Sequence, residues 1–393
     1  MPERAGILVL NEISALGLSR LPAERYRTGK DIADPAAILL RSADLHGREI
    51  PASVQAVGRA GAGTNNIPVP ALSARGVPVF NAPGANANAV KELVLCGLLM
   101  AARQVAPALR FVASLDATSA KLDQQVEAGK KAFAGFELAG QTLGIVGLGR
   151  IGCGVADAAI KLGMQVLGHD PDITVDAAWS LPSQVRRAGS VNEVLRQAQF
   201  VTLHVPLVEA TRGLVGAANI GLMRPGAVLL NFSRDGIVDN SAVLDALADG
   251  HLGHYVCDFP ERELLGHARV ITLPHLGAST REAEENCAVM VVDQLRDYLE
   301  HGQIVNAVNF PAVQMARESA WRLAIANANV PNMLGQISTA MAQSGLNIHN
   351  MVNKSRGDMA YTLVDVDSAV PPEATARLRA IAGVLSVRYL PLA

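Results

Sequence analysis

The sequence of 393 residues predicts an α/β protein that has two successive strand–helix series and a small α+β domain at its C-terminal end. Most of the predicted strands are continuous apolar runs separated by helical segments, which is typical of parallel sheets covered by helices on both faces. From about Trp321 the pattern changes to strand–helix–strand–strand–helix–strand. These two observations define the fold class.

The first series occupies the N-terminal part of the chain. The segments "GILVL" and "AAILLRS" are predicted strands, and "VQAVGRAGAG" and "GVPVFNAPG" each lead from apolar residues into a turn marked by Gly or Pro. A long and largely buried helix is predicted from about Lys91 to Val112.

The second series begins near Gln141. It contains six predicted strands with helical segments between most of them: "TLGIVGLG", "QVLGHD", "FVTLHVP", "VLLNFS", "HYVCDF" and "VITLPH". A helix over "REAEENCAVMVVDQLRDYLEHG" follows and leads into a polar connector, "QIVNAVNFPAVQMARES".

The C-terminal stretch supplies four strands and two helices. The strands are "WRLAIANAN", "LNIHNMVN", "AYTLVDVD" and "VLSVRYL", and the second helix is "PPEATARLRAIAG". The first helix begins at Pro331 and ends at Gly345. In the second strand, the alternation predicts Leu346, Ile348 and Val352 on one face.

Composition limits the function classes. The formal net charge is −2, which gives no electrostatic footprint for nucleic acid or for a membrane surface. No apolar run reaches membrane-spanning length, and none reads as a signal peptide. The cysteines Cys96, Cys153, Cys257 and Cys287 show no paired spacing, so we expect a reduced, cytoplasmic protein.

The segment "LGIVGLGRIG" predicts a dinucleotide-binding, Rossmann-type doubly wound sheet, because its glycine motif follows a strand and opens a helix. Gly147 permits the tight turn, Gly149 lets a pyrophosphate approach, and Gly152 allows close packing of helix on strand. Arg150 and Ile151 complete the motif. Asp170, ending the next strand, would accept the ribose hydroxyls, and with Asp172 it would repel a 2′-phosphate. We therefore predict NAD rather than NADP.

Three further segments end strands of the same sheet and carry groups suited to the oxidation of an alcohol. "NFSRDGIVD" supplies Arg234, "CDFPERELLGH" supplies Asp258, Glu261 and Glu263, and "TLPHLGAST" supplies His275. Histidine is a suitable base for a hydroxyl proton, and a carboxylate can orient it and stabilise its protonated form. The planar guanidinium of arginine matches a substrate carboxylate.

The chain resembles the D-2-hydroxyacid dehydrogenases in "GLGRIG", "TLHVPLVEATRGLV", "NFSRDGIVD", "LPHLGAST" and "GRAGAGTNNI…GVPVFNAPGANANAVKELV", from about Ala36 to Pro311. The resemblance implies a catalytic triad of Arg234, Glu263 and His275. The family pattern D-x-F-x-x-E-P is altered here, and the spacing from Asp258 favours Glu263 with Glu261 in reserve. Further cofactor contacts are implied at His204, Val205, Pro206, Ser233, Asp258 and Gly277.

The resemblance also implies a split, flavodoxin-like substrate domain into which the NAD-binding domain is inserted. We expect residues 1–95 and 290–315 in the substrate domain and 96–289 in the NAD-binding domain, with active-site closure by a hinge motion. Residues 320–393 resemble an ACT domain, an amino-acid-sensing module.

Anion-binding groups are predicted in the first series. A nest of backbone N–H groups is expected at Gly61, Ala62 and Gly63, with Arg59 as a phosphate-binding candidate. Arg41 and Ser42 end a neighbouring strand.

A dehydrogenase body with an ACT tail resembles the branch of the family that oxidises 3-phospho-D-glycerate in the first step of serine synthesis. That branch commonly binds serine as an effector between paired ACT domains, at positions matching Asn329 and Asn347. Asn327 and Asn332 depart from the residues usual in the branch. A homodimer or homotetramer is expected.

Two other functions are consistent with the sequence. The same chemistry could act on another 2-oxo acid, such as 2-oxoglutarate, hydroxypyruvate or glyoxylate. The chain could instead be an NAD-responsive binding protein without turnover, although such proteins lack an ACT tail. No metal is expected, because His251, His254 and Cys257 have metal-like spacing but would point in different directions.

Overall fold

The computed structural model describes residues 4–392, which form two compact units. One unit is Ala87–Thr280, and the other combines the chain up to Asn86 with the chain from Arg281 onward. The observed boundaries lie at the first residues of two helices, Ala87–Ala102 and Arg281–His301. The predicted boundaries at 95/96 and 289/290 fall inside these helices. The ACT-like segment belongs to the same unit as the first series.

The N-terminal segment forms a five-stranded sheet in which all paired strands are parallel, in the order β2-β1-β3-β4-β5. This order is the flavodoxin-like one, as expected. The elements are β1 (Ala5–Val9), α1 (Ala15–Leu18), β2 (Tyr26–Gly29), β3 (Ala37–Leu40), β4 (Ala56–Arg59), α2 (Val69–Ala74) and β5 (Val79–Phe80).

The second unit contains a seven-stranded sheet with helices between most strands. Its elements are α3 (Ala87–Ala102), α4 (Val105–Ala113), α5 (Leu122–Gly129), β6 (Thr142–Val146), α6 (Arg150–Lys161), β7 (Gln165–His169), α7 (Val175–Ser180), β8 (Arg186–Arg187), α8 (Val191–Gln197), β9 (Phe200–Leu203), β10 (Ala227–Asn231), α9 (Asn240–Ala248), β11 (Leu252–Cys257) and β12 (Val270–Thr272). Short 3₁₀ helices lie at Lys130–Phe133, Glu209–Thr211, Ile220–Leu222 and Arg262–Leu264.

All paired strands of this sheet are parallel, in the order β12-β11-β10-β9-β6-β7-β8. From β6 the strands are added in one direction to β8, and from β9 in the opposite direction to β12, so the β6–β9 pair marks the switch point at which dinucleotides bind in doubly wound sheets. Apolar clusters cover both faces. The predicted doubly wound sheet is confirmed.

The single helix predicted from Lys91 to Val112 is wrong. The structure has two helices, α3 and α4, that meet at Gln104 in the left-handed region (φ 55°). Pro107 explains the break, because it has no N–H for an interior helical bond and is tolerated only in the first turn of a helix. No residue of α4 is buried, contrary to the prediction. Within residues 4–392 no single helix is long and apolar enough to cross a membrane, and the pair α3–α4 meets that length and composition only across a 69° bend.

The last part of the chain begins with α10 (Arg281–His301) and ends in the predicted βαββαβ unit. The remaining elements are β13 (Trp321–Ala328), α11 (Met333–Gln343), β14 (Ile348–Arg356), β15 (Met359–Val366), α12 (Pro372–Arg379) and β16 (Val384–Pro391). The strands are antiparallel in the order β14-β15-β13-β16. This arrangement is that of ferredoxin-like α+β units.

The prediction that Ile348 and Val352 lie on the same face of β14 is wrong. The register against β15 shifts between Ile348 and Asn350, which is the signature of a β-bulge. As a result Ile348 and Met351 pack in the cluster beneath α11 and α12, whereas Val352 packs on the other side of the sheet.

The two faces of the four-stranded sheet belong to different hydrophobic cores. One face carries Leu323 and Ile325 and packs on its own helices. The other face carries Ala324, Ala326 and Leu363 and lies in one continuous core with the five-stranded sheet and α10. The C-terminal unit therefore shares its core with the first series.

Candidate active site

The segments predicted to carry the catalytic and NAD-binding residues follow the carboxyl ends of strands in the seven-stranded sheet. Along this edge, the strand order places the segment after β12 beside that after β11, followed by those after β10, β9, β6 and β7. Neighbouring strands lie about 4.8 Å apart, so residues far apart in sequence are brought to one edge. This is the edge at which ligands of doubly wound sheets bind.

The glycine loop after β6 has the shape that a pyrophosphate requires. Gly147 has a φ of 95°, and a Cβ there would lie 2.4 Å from the His204 carbonyl oxygen. A Cβ on Gly152 would lie 2.0 Å from the Gly147 carbonyl oxygen, whereas a Cβ on Gly149 would meet nothing within 4 Å. Gly147 and Gly152 are thus required by close packing, whereas Gly149 leaves the start of α6 open to a ligand. Arg150 and Ile151 form the first turn of α6, whose unpaired N–H groups favour anions.

Asp170 follows β7 and is fixed beside this loop. Its Oδ2 accepts a hydrogen bond from the Leu148 N–H at 2.8 Å, and its Oδ1 accepts one from the Asp172 N–H at 2.9 Å. A carboxylate held at this point fits a ribose diol and disfavours a 2′-phosphate. The residues around the loop therefore fit NAD.

His204, which follows β9, has a buried ring. Its Nε2 lies 3.0 Å from the Thr202 hydroxyl, and its Nδ1 is buried with no hydrogen-bond partner among the described residues. Burial lowers its pKa to about 4, so the ring is neutral near pH 7. The next residues, Val205 and Pro206, lie in the loop beyond the strand, and Pro206 is exposed.

The loop after β10 is shaped by Asn231. Its Oδ1 accepts a hydrogen bond from the Ser233 N–H at 3.1 Å, and its Nδ2 donates to the Arg234 carbonyl at 3.0 Å. The Ser233 hydroxyl is buried and donates to the Leu203 carbonyl. Arg234 is exposed, and its Nη1 donates to the Ser233 carbonyl at 2.6 Å. Sequence reasoning missed Asn231, although an amide at the end of an apolar strand is a signal for such a turn.

The loop after β12 is held by Asp258, a residue that follows β11 and is 1% exposed. Its two carboxylate oxygens accept the N–H groups of Leu276 at 2.7 Å and Gly277 at 2.9 Å. Burial raises the pKa of Asp258, and these N–H bonds partly oppose that rise. His275 is exposed and adopts a left-handed φ of 54°, with its ring edge-on to Phe259 at a centroid distance of 5.1 Å. Non-glycine residues in this region are strained and cluster at functional sites.

The two candidate glutamates have different surroundings. Glu261 is half-buried, and its pKa is raised, chiefly because its side chain hydrogen-bonds the Asp235 carboxyl, while a bond from Asn240 opposes the rise. Glu263 is exposed in the 3₁₀ turn that follows. No ion pair joins either glutamate to His275 in the part of the chain that the structure describes.

In the other unit, Arg59 lies at the carboxyl end of β4. Its Nε donates to the Arg41 carbonyl at 3.0 Å, and a Cβ on Gly61 would lie 2.7 Å from its Nη1. Gly61 therefore leaves room for the guanidinium. Arg41 itself forms a salt bridge with Glu284, with Nη1 and Oε1 2.6 Å apart.

The structure departs from the expected nest of free N–H groups after β4 at one residue, Gly61. The Gly61 N–H donates to the Arg59 carbonyl at 2.8 Å and is already used. Ala62 is tied through its carbonyl to the Asn81 side chain at 2.6 Å. No backbone bond from the N–H of Ala62 or Gly63 occurs within residues 4–392.

The turn that carries Ser42 is organised by a residue that sequence reasoning missed. The side-chain oxygen of Asn11 accepts the N–H groups of Arg41, Ser42 and Ala43 at 2.9, 3.0 and 2.9 Å. Asn11 lies two residues after the end of β1, and this position was the available signal.

The two predicted effector residues lie at opposite ends of the four-stranded sheet. The Asn329 N–H bonds to the Asp358 carbonyl, and the Asp367 N–H bonds to the Asn347 carbonyl. The eight residues of β15 separate the two aspartates, a distance of about 30 Å over nine residue steps. One chain therefore does not bring both asparagines to a single amino acid.

The chain was compared with known proteins. The family described as "D-isomer specific 2-hydroxyacid dehydrogenase, NAD binding domain" matches residues 98–277, which confirms the predicted cofactor, NAD. D-3-phosphoglycerate dehydrogenase of Escherichia coli (strain K12) is 34% identical over 341 residues, covering 84% of this chain and 79% of that protein. D-3-phosphoglycerate dehydrogenase of Bacillus subtilis (strain 168) is 36% identical over 327 residues, covering 78% of this chain and 59% of that protein.

A solved structure has the same fold. The NAD⁺-bound 3-phosphoglycerate dehydrogenase of Entamoeba histolytica superposes with a TM-score of 0.62 at 22% identity, covering 78% of this chain and 99% of that one. At this identity the likeness concerns the fold alone. From the family match and the extent of the similarity to the Escherichia coli protein, the chain belongs to the D-isomer specific 2-hydroxyacid dehydrogenase family.

Proposed function

We propose that this chain is an NAD-dependent D-3-phosphoglycerate dehydrogenase. It oxidises the C2 hydroxyl of 3-phospho-D-glycerate to the ketone of 3-phosphohydroxypyruvate, the first step of L-serine biosynthesis. The observation that carries the proposal is the 34% identity to the Escherichia coli enzyme of that name over 84% of this chain. The geometry supports it, since a base, a guanidinium and carboxylates follow strands at the edge that also carries the glycine loop.

His275 is the proposed general base. Its imidazole takes the proton of the C2 hydroxyl, because histidine is the side chain most often used as a general base and this exposed ring is accessible to a substrate. Bound NAD supplies the acceptor for the hydride that leaves C2. Glu263 is the proposed partner that stabilises protonated His275, and Asp258 positions the His275 loop through Leu276 and Gly277.

Two arginines are proposed to bind the charged ends of the substrate. Arg234 contacts the carboxylate and stabilises the charge developing on the C2 oxygen, for which a planar, two-pronged donor is suited. Arg59 contacts the phosphate. The phosphate contact is the part of the proposal that separates this substrate from unphosphorylated 2-hydroxy acids.

The proposal is tested in the direction of reduction, with NADH and a panel of 2-oxo acids. We expect kcat/KM for phosphohydroxypyruvate to exceed that for hydroxypyruvate, glyoxylate and 2-oxoglutarate by at least about tenfold, since one charge-assisted contact is worth that much. In the Arg59→Ala variant this preference should shrink while kcat with hydroxypyruvate stays the same. Equal kcat/KM for the phosphorylated and unphosphorylated acids would refute the substrate assignment.

Regulation and assembly follow as part of the same proposal. Because Asn329 and Asn347 lie at opposite ends of one sheet, a serine site that uses both needs the C-terminal units of two chains, and we propose a homo-oligomer. A serine titration of the reaction, with alanine and threonine as controls, tests this site. The four free cysteines, three of them buried, support a compartment that keeps thiols reduced, and we propose the cytoplasm.

A further inference from the structure

A cavity that is open to solvent lies within the unit formed by the N-terminal and C-terminal segments. It measures about 910 Å³ and is lined by residues at the amino ends of all five strands of the first sheet, among them Ala5, Tyr26 and Ala36. Its opposite wall is strand β16, from Val384 to Leu390. This volume is in the range of small-molecule sites.

The cavity lies at the opposite edge of the first sheet from Arg41 and Arg59, the latter proposed to bind the substrate phosphate. Parallel strands have all their amino ends at one edge and all their carboxyl ends at the other. Ala36 precedes β3 and lines the cavity, whereas Arg41 follows β3 beside Arg59. Five residues of extended chain span about 16 Å, so a small ligand does not reach from one edge to the other.

The lining carries an excess of positive charge. Four arginines face the cavity, and Glu300 is the single acidic residue of its lining. Glu300 is already engaged, because its carboxylate lies 3.1 Å from Arg25 Nη1 and accepts the Tyr26 hydroxyl at 2.9 Å. The arginines are Arg25, Arg75, Arg379 and Arg388.

Three of these guanidinium groups are fixed by backbone carbonyls and keep further donors. Arg75 donates to the carbonyls of Ile50 and Pro51, at 3.0 and 2.7 Å. Arg388 caps the end of α10 through the carbonyls of Tyr298 and Leu299, both at 2.8 Å. Arg379 donates to the Val387 carbonyl at 3.0 Å. A guanidinium has five N–H groups, so each has donors left over.

The guanidinium groups held in this way form a preorganised set of cationic donors. Such a set is the chemistry that recognises phosphate or carboxylate oxygens.

We propose that this cavity is a binding site for a small organic anion that carries phosphate or carboxylate groups, distinct from the proposed substrate site. The ligand lies between the amino ends of the first sheet and β16, so it contacts both the N-terminal segment and the C-terminal βαββαβ unit. This site does not depend on the proposed reaction.

The test measures anion binding to the full-length protein by titration calorimetry, with inorganic phosphate and citrate as probes and glycerol as the neutral control. Ala52 is an exposed turn residue of the lining, which allows a matched pair of variants with little effect on folding. We expect Ala52→Glu to weaken the anion affinity at least about fivefold, while Ala52→Gln stays within about twofold of the parent chain.

A second matched pair lies on α12. Arg379→Gln removes a cavity donor and should weaken the affinity about tenfold, whereas Arg377→Gln removes the same charge from a side chain bonded to Gln343 outside the cavity and should change it less than about twofold. Tighter binding of phosphate or of citrate identifies which oxyanion the cavity prefers. Absence of saturable binding, or equal affinities within both pairs, would overturn the proposal. Neither readout involves turnover, so a failure of the proposed reaction leaves this result interpretable.

Discussion

At the scale of single residues, the candidate base depends on a carboxylate that acts on the backbone of its loop. Asp258 binds the N–H groups of Leu276 and Gly277, and His275 sits just before them in a left-handed conformation. Such a conformation costs on the order of 1 kcal/mol for a residue with a Cβ, and surrounding contacts must hold it in place. The position of the imidazole is therefore determined by the loop, and the loop by Asp258.

This geometry gives a clean way to remove the base. Asparagine tolerates the left-handed region, so His275→Asn should keep the loop while deleting the imidazole. We expect kcat to fall by about two to four decades, with the NAD dissociation constant within about threefold of the parent value. Steady-state turnover and a calorimetric titration with NAD check the two quantities. A variant with near-normal kcat would show that another group takes the proton.

At the scale of elements, the position of α6 is coupled to that of the glycine loop, because Gly152 packs directly on Gly147. The missing side chain brings the start of the helix against the strand. Gly154 lies two residues further on the same helix, and a Cβ there would meet only the flexible Lys91 side chain at 3.6 Å. The two positions differ in their surroundings although they have the same residue type and helix.

The pair provides a controlled test of the cofactor loop. Gly152→Ala should force the helix away from the loop and weaken NAD binding by at least about tenfold, because the added Cβ would overlap the Gly147 carbonyl. Gly154→Ala should bind NAD as the parent chain does, or be slightly more stable, since alanine is the better helix former. Calorimetric titration with NAD measures both. Equal losses in the two variants would contradict the role assigned to Gly152.

Several elements also show where sequence patterns are insufficient. Strand β2 was not predicted because only Tyr26 of its four residues is buried, which leaves no apolar run. The break before α4 follows from Pro107, a signal that was present in the sequence but was outweighed by the apolar composition around it. The bulge in β14 has no local marker, because it is defined by pairing with β15.

At the scale of the whole molecule, a buried ion pair links the C-terminal sheet to the segments that precede it. Arg322 and Asp365 are both fully buried and form two hydrogen bonds, at 2.6 and 2.9 Å. Arg322 also donates to the carbonyls of Met315 and Ala316, at 3.1 and 2.9 Å. The pair thus joins β13 and β15 to the connector that follows α10.

The Arg322–Asp365 pair makes the free energy of unfolding depend on pH in the acidic range. Burial by itself would raise the pKa of Asp365, but the bonds from Arg322 and from the Glu318 N–H outweigh it and hold the pKa below its ordinary value of 3.8. A carboxyl group with a lowered pKa in the folded state stabilises the fold above its unfolded-state pKa and loses that contribution as the pH falls. We expect the free energy of unfolding to decrease below about pH 4.

The variant Asp365→Asn leaves the Arg322 charge buried without a counter-charge, which costs roughly 3–5 kcal/mol. Its stability near pH 7 should be reduced by that order, and its loss of stability between about pH 4 and pH 2 should be shallower than that of the parent chain. Urea unfolding across this pH range measures both effects. An unchanged stability at pH 7 would mean that the pair contributes nothing to joining these segments.

The amino-acid sequence by itself determined the two parallel sheets, the α+β unit, the glycine loop and the family, because strand and helix periodicities and turn residues are encoded over short stretches of chain. It also identified His275, Arg234 and the two glutamates as candidates, although their roles remain proposals. Only the tertiary structure decided that Asp258 holds the His275 loop, that the C-terminal sheet shares a core with the first sheet, and that four arginines line one cavity. These features depend on contacts between residues tens to hundreds of positions apart, and no local pattern specifies such pairs.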